Sequence, residues 1–411
     1  MNVNHKQIIH NVLFFTAVFM VFGSGFLARY GYIVYSLYLL ISLLFYPNAF
    51  SSAFFSRRVI PFAIFAVFYF FATSFDIPRL VVLITVYSLP LVFNMQAELL
   101  NSNRIDCRSQ KRLTVLLYLA ISFFGVQALR YIQNSAFGLR PLISQNPDDS
   151  LIIGGAYGLP YSLTILVPFI LYIIVGKKSS LNTVVREKTS KRKILPLLFV
   201  LFGAYVVLRS TFTTAFILLL FGFVLVFVVD LPTIIKTITI TFASLLVIPL
   251  ISYLPELVSL INPDAGVMLD RLYEIDAVSQ GEGLTEATDL AARLRLMLSS
   301  IKTFGAHPLF GIGAIYGYDY NLMFRAGYGG HSEWLDLFAA NGIFAGLIIW
   351  HLIQNTGRYV PKDAVSTSVF VLMGFLNPIY LFQIYFVYFY LIPMTKLSTN
   401  SAVVYNKKVT I

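Results

Sequence analysis

The chain has 411 residues, of which 58% are hydrophobic and only 12% charged. A soluble domain carries about a quarter charged residues, so this much Phe, Leu, Ile and Val must face something other than water. The net charge of +11 could suit nucleic acid, but Lys and Arg sit mostly in short loops between apolar runs. That is the positive-inside pattern of a bacterial inner-membrane protein, with membrane lipids and no nucleic acid as its surroundings. The single cysteine, Cys107, excludes an internal disulfide and a cysteine metal cluster.

A helix needs about 20 apolar residues to cross the hydrocarbon core. In chain order the runs that predict spans are Ile8–Ala28, Tyr30–Tyr46, Val59–Phe75, Leu80–Met95, Leu113–Leu129, Tyr157–Gly176, Ile194–Leu208, Thr211–Val229, Ile234–Leu254 and Leu335–Ile353. The first is longer than a signal-peptide core and more spans follow it, so it reads as a span. A last apolar stretch, Ala364 to Met394, is broken by Asn377-Pro378, where proline disfavours helix continuation. Two short helices there give twelve spans, and one kinked helix gives eleven. The expected fold is all-α: a polytopic membrane protein of 11–12 transmembrane helices. Residues 1–411 form a single integral membrane domain, with a large external loop at 255–334.

Loop charge sets the orientation. Lys177, Lys178, Arg186, Lys188, Lys191, Arg192 and Lys193 form the most basic segment. Arg104, Arg108, Lys111 and Arg112 form a second, and Arg57 with Arg58 a third. With twelve spans all three fall on the cytoplasmic side together with both termini. The external side then holds two stretches, Arg130 to Ala156 and the longer one from Pro255 to Gly330. Loops beyond about 15 residues usually carry function or are disordered. No sustained repeat is visible, which counts weakly against a transporter built from paired halves.

Within the long loop, Thr285 to Phe304 reads as a helix, with Thr285 as N-cap. Leu290, Leu294, Leu298 and Ile301 make one apolar stripe at helical spacing. Such an amphipathic helix would lie on the membrane surface, with Arg293 beside the stripe and Arg295 turned to water. On pattern alone both arginines also fit a solvated surface helix. His307-Pro308-Leu309-Phe310-Gly311-Ile312-Gly313 then stops the helix. Its glycines could let amides approach an anion, but the spacing is not that of a phosphate loop.

Gly329-Gly330-His331-Ser332-Glu333-Trp334-Leu335-Asp336 follows where the loop re-enters the membrane. Gly330 permits an abrupt turn, Trp334 suits the interface, and Gly342 with Gly346 form a small-xxx-small pair that allows close helix packing. His331 can exchange a proton near neutral pH. His331 and Glu333 also fit an interfacial histidine and a helix-start glutamate. Arg209 interrupts an apolar sequence at the outer membrane face, where such a residue is paired, snorkelling or lining a polar cavity. Arg209, Arg293, Arg325 and His331 fall on one side of the membrane. Cations there suit a pyrophosphate-linked lipid, because arginine binds phosphate oxygens bidentately.

The motif His307-Pro308-Leu309-x-Gly311-x-Gly313, then His331-Ser332-Glu333-Trp334-Leu335, then Gly342-Ile343-x-x-Gly346, resembles the O-antigen ligase and polymerase superfamily. Arg209-Ser210-Thr211 resembles that family's arginine-containing span start, and Arg293 falls where the family has a loop arginine. Met297 stands where the family often has Trp, and Leu208 where serine commonly precedes the span arginine. The resemblance covers roughly Leu195 to Leu347. His-Ser-Glu-Trp-Leu looks more like polymerases of the Wzy type, since ligases more often have His-Asn.

The resemblance implies a GT-C-like, metal-independent membrane glycosyltransferase without cofactors. It would act by inverting transfer at the periplasmic face of the inner membrane, on undecaprenyl-pyrophosphate-linked oligosaccharides, with a chain-length regulator protein as a further partner. It assigns Arg209, Arg293 and, more weakly, Arg325 to pyrophosphate, His331 to proton transfer or acceptor orientation, and Glu333 to its support. An O-antigen ligase acting on lipid A-core and a polysaccharide transporter or flippase are the alternatives. The transporter predicts ionisable groups inside the spans, whereas nearly all charges here lie in loops or at span ends.

Overall fold

In hydrocarbon every backbone N–H and C=O must be paired within the segment, and a helix does this without a partner strand. The computed structural model describes residues 3–23, 25–133, 158–175, 194–232, 236, 253–260, 262, 266–279 and 289–398, and the regular elements among them are all helical. In chain order they are α1 Val3–Gly23, α2 Gly25–Phe45, α3 Pro47–Phe54, α4 Ile60–Ala72, α5 Ile77–Tyr87, α6 Leu89–Asn101 and α7 Cys107–Gln133. Then come α8 Gly158–Val175, α9 Ile194–Arg209, α10 Thr213–Val228, α11 Gly266–Ser279 and α12 Asp289–Ala306. The last are α13 Gly313–Tyr316, α14 Tyr320–Arg325, α15 Glu333–Asn341, α16 Ala345–Asn355, α17 Ala364–Leu376 and α18 Phe382–Phe386. Among the described residues five helices are long and apolar enough to cross a membrane, or up to seven if each of two bent pairs is one span; three more apolar helices are shorter. The protein is a multi-pass, all-α membrane protein.

Several expectations shift in detail. Leu80–Met95 is α5 and α6, bent by 47°. The break falls at Leu89-Pro90, where proline suits a helix start but not an interior. A short helix, α3, precedes α4 at a 48° bend. Asn377-Pro378 does separate two helices, α17 and α18, and the second continues through a π-helical turn, Val387–Leu391, to residue 398. The long loop is itself helical, containing a helix over 253–260 and α11 to α14. Nearly all of Ile234–Leu254, most of Arg130 to Ala156, the basic segment 177–193 and the N-cap Thr285 lie outside the described residues.

The chain divides into two compact units. The first comprises Met1–Ile121, Leu296–Lys362 and Gly374–Ile411, and the second Ser122–Arg295 and Asp363–Met373. The first unit is apolar outside and partly polar within. Ile8, Val12, Leu37, Leu40, Leu44, Ile64 and Phe71 are exposed, as lipid contact requires, while Gln96 and Gln110 are buried. Gln96 donates to the Tyr38 hydroxyl at 2.9 Å and accepts from Gln110 at 2.8 Å and from Tyr390 at 2.5 Å, so the buried amides are paired with each other. α2 approaches α1 closely because Gly31 has no side chain; a Cβ there would stand 2.6 Å from Val21 Cγ2.

Hydrogen bonds identify the two ends of this unit. At one end Gln7 meets Asp106, Ser52 meets Glu98 and Asn355 meets the Arg58 carbonyl. At the other, Arg79 donates to the Tyr318 carbonyl at 2.8 Å and Glu333 accepts from Ile379 at 3.1 Å. The basic pairs Arg57-Arg58 and Arg104-Arg108 therefore share an end with the start of α1, and the segment 317–333 occupies the opposite end.

In the second unit, α9 and α10 lie close against α8 through glycines. A Cβ on Gly203 would stand 2.5 Å from Val167 Cγ2, and one on Gly222 2.5 Å from Pro168 Cγ. Loop residues pack on the ends of these spans: Leu254, Val258, Met268 and Leu272 form one buried cluster with Leu208 and Phe216.

Candidate functional site

The turn that carries His331 is built by α12. This helix is polar on its inner side and apolar on its outer side, the reverse of a soluble helix. Leu298 and Ile301 are 54% and 50% exposed, whereas Ser300 and Thr303 are buried. The predicted apolar stripe is thus uncovered, as a helix bordering lipid requires. The inward hydroxyls hold the chain that returns toward the membrane. Ser299 and Thr303 both donate to the Gly327 carbonyl at 2.9 Å. Ser300 accepts from the Gly329 amide at 2.9 Å and donates to Asp336 Oδ1 at 2.5 Å. Gly329 has to be glycine, because a Cβ would stand 2.3 Å from the Leu296 carbonyl oxygen.

Gly330, at φ 69°, turns the backbone, His331 follows half-buried, and Ser332 caps α15. The Ser332 hydroxyl accepts from the Leu335 amide at 3.4 Å, and Asp336 Oδ2 accepts from the Ser332 amide at 3.0 Å. His331 is therefore held between two pinned neighbours, and Asp336 is close enough to act on it electrostatically.

Glu333, only 7% exposed, turns elsewhere. Its Oε2 accepts from the Ile379 and Tyr380 amides at 3.1 and 3.0 Å, tying α15 to the break before α18. Glu333 and Asp336 both line a cavity of about 240 Å³ in the first unit, whose walls include Tyr69, Tyr87, Tyr318 and Tyr328. Tyr380 also lines it, and its buried hydroxyl lacks a partner among the described residues. Tyr318 donates to Asn341. Burial pushes the Tyr318 and Tyr328 phenols well above their ordinary range, so they stay neutral at pH 7. Flat aromatic faces, two carboxylates and a spare hydroxyl can together hold a small polar ring.

The His307–Gly313 segment is structural. Ile312 donates to the Ala339 carbonyl at 3.0 Å and Ile343 to the Pro308 carbonyl at 2.8 Å. Gly311 (φ 67°) and Gly342 (φ 58°) let these two stretches of backbone meet; a Cβ on either would stand within 2.5 Å of the other stretch. Close backbone approach, not anion binding, explains these glycines. Gly342 and Gly346 do not form a helix-packing pair as expected. Gly342 ends α15 at a positive φ of 58°, and a Cβ on Gly346 would meet nothing within 4 Å. Trp334 lies against Gly374 instead, where a Cβ would stand 2.3 Å from its ring.

Of the predicted residues, His331, Glu333 and Arg325 belong to the first unit and Arg209 and Arg293 to the second. Arg325 is exposed at the end of α14. Arg293 is half-buried and Arg295 exposed on α12. Arg209 ends α9 and donates through Nη1 to Asn262 Oδ1 at 2.6 Å. Asp336, Ser300 and the tyrosine walls were not singled out from sequence. The capping pattern Ser332-x-x-x-Asp336 was the available signal for Asp336.

These helices and the site at one end of them define a multi-pass membrane protein with a cavity lined by tyrosines and the two carboxylates of α15. Residues 197–350 match the family model described as O-Antigen ligase. The match supports the O-antigen ligase/polymerase superfamily and an enzyme of glycosyltransferase type in surface polysaccharide biosynthesis, working on lipid-linked saccharides. No curated protein and no solved structure matches the chain.

Proposed function

We propose that the protein is an O-antigen, or surface-polysaccharide, polymerase of the inner membrane with its active site on the periplasmic side. The observation that carries this reading is that the segment similar to O-antigen ligase, 197–350, contains the His331 turn, Glu333 and all three assigned arginines. The donor is a growing glycan on undecaprenyl pyrophosphate, and the acceptor is one repeat unit on the same lipid. The acceptor hydroxyl oxygen bonds to the donor anomeric carbon from the face opposite the leaving group. The carbon–oxygen bond to pyrophosphate breaks, and undecaprenyl pyrophosphate leaves with the electron pair. His331 takes the hydroxyl proton or orients that hydroxyl. Arg209 and Arg293, with Arg325 as a weaker contributor, stabilise the negative charge on pyrophosphate. Glu333 holds the α15 start and faces the cavity where a sugar ring fits. The chemistry is proposed to need no metal.

Orientation is supported by the two ends of the first unit. The basic pairs lie at the end opposite the His331 segment, which by the positive-inside rule supports a reading with His331 outside. One observation favours a second reading: the matching family is described as a ligase, which would move finished glycan onto lipid A-core. The His331-Ser332-Glu333 form favours the polymerase. The test is His331→Ala in a host that depends on this chain for long surface glycan. The polymerase account expects core capped with a single repeat unit. A bare core beside normal lipid-linked polymer would indicate the ligase, and unchanged long chains would overturn the assignment of His331.

A further inference from the structure

Where α9 gives way to α10, two buried hydroxyls lack a hydrogen-bond partner among the described residues. Thr211 and Thr213 are 3% and 4% exposed, and neither Oγ1 has a partner among the described residues. The neighbouring Ser210 differs, since its hydroxyl donates to the Val207 carbonyl at 2.7 Å. A buried donor left unpaired is costly, and in a native structure it signals a missing partner. Thr213 is the first residue of α10, a helix of 16 residues whose N-cap, Phe212, offers no side chain to the first-turn amides. The positive end of that helix therefore lies uncapped beside the two hydroxyls. Arg209 stands two residues before Thr211 and uses one of its five donors on Asn262.

Hydroxyl donors, helix N-terminal amides without a side-chain cap and a guanidinium want the same ligand, an anion with several acceptor oxygens. We infer that Thr211 and Thr213, together with the first-turn amides of α10, bind phosphate oxygens of an isoprenoid pyrophosphate. The inference rests on the assignment of Arg209 to pyrophosphate and adds ligands to it. Valine has the shape of threonine without the hydroxyl, so T211V and T213V remove the donors and leave the packing.

The probe is farnesyl pyrophosphate titrated into the purified full-length protein in detergent. The inference expects binding about tenfold weaker in T213V, weaker still in the T211V/T213V double variant, and retained in T213S. Without ligand, T213V should unfold at the same or a higher temperature than the parent, because it loses only an unpaired buried hydroxyl. Inorganic pyrophosphate should compete; failure to compete would mean that the isoprenoid tail is what binds, and would overturn the inference. Equal affinity in the parent and the double valine variant would overturn it as well, whereas weakening in R209Q alone would leave the Arg209 assignment standing. Undiminished binding in R209Q would overturn the pyrophosphate reading of Arg209 and the inference with it. A lower unfolding temperature with unchanged affinity would show that the hydroxyls are structural.

Discussion

Ser300 lies between the Gly329 amide and Asp336, 36 positions further on, and makes hydrogen bonds to both. The chain between those two contacts carries His331, so the serine limits where the imidazole can go. S300A would leave a buried amide and a buried carboxylate each short of a partner, at a cost of about 1–3 kcal/mol per group. A lower unfolding temperature and weakened glycan extension are expected, checked by thermal unfolding of the purified variant and by the length of surface glycan in the host. His331 and Glu333 were legible in the sequence because they stand in a recognisable run. Ser300 was not, because serine on an amphipathic helix ordinarily faces water and only the inversion of α12 turns it inward. The direction of Glu333 was also hidden: its partners, the Ile379 and Tyr380 amides, come from beyond the following span.

The elements were easiest to read where apolar runs are long. α1, α2, α7, α8 and α9 fall near their predicted spans because hydropathy alone decides them. The reading was coarser wherever proline acts inside an apolar run. Leu89-Pro90 splits a span that composition alone would keep whole, whereas Asn377-Pro378 gave the break correctly. The glycines of the His307–Gly313 segment suggested amides open to a ligand, but the Gly311 amide donates to the His307 carbonyl and the Ile312 amide to the Ala339 carbonyl near the end of α15, the second a long-range contact that no local pattern reveals. That pairing places α13 at the same end as His331. Ala314, exposed on α13, should lie outside the membrane, and Cys107, at the start of α7, inside. In a Cys107→Ser background, A314C is expected to react with a membrane-impermeant thiol reagent added to cells with a permeabilised outer membrane. Cys107 in the parent should react only after the inner membrane is opened. The reverse pattern would invert the topology.

For the molecule as a whole, composition pointed to the membrane class, and the His307–Gly313 and His331-Ser332-Glu333-Trp334-Leu335 motifs carried most of the resemblance to the superfamily. The match over residues 197–350 agrees with the stretch that carried the resemblance. The cavity could not have been read this way, because its walls come from α4, α5, the segment 318–328, α15 and the break before α18, brought together only by folding. The proposed glycosyl transfer from a lipid is tested most directly outside the cell. Purified protein in lipid vesicles would be given undecaprenyl-pyrophosphate-linked repeat units as the sole saccharide, with a metal chelator present. The account predicts a ladder of lipid-linked chains, each longer by one repeat unit, with release of undecaprenyl pyrophosphate. Repeat units that stay single, and glycan that moves only when lipid A-core is added, would contradict it.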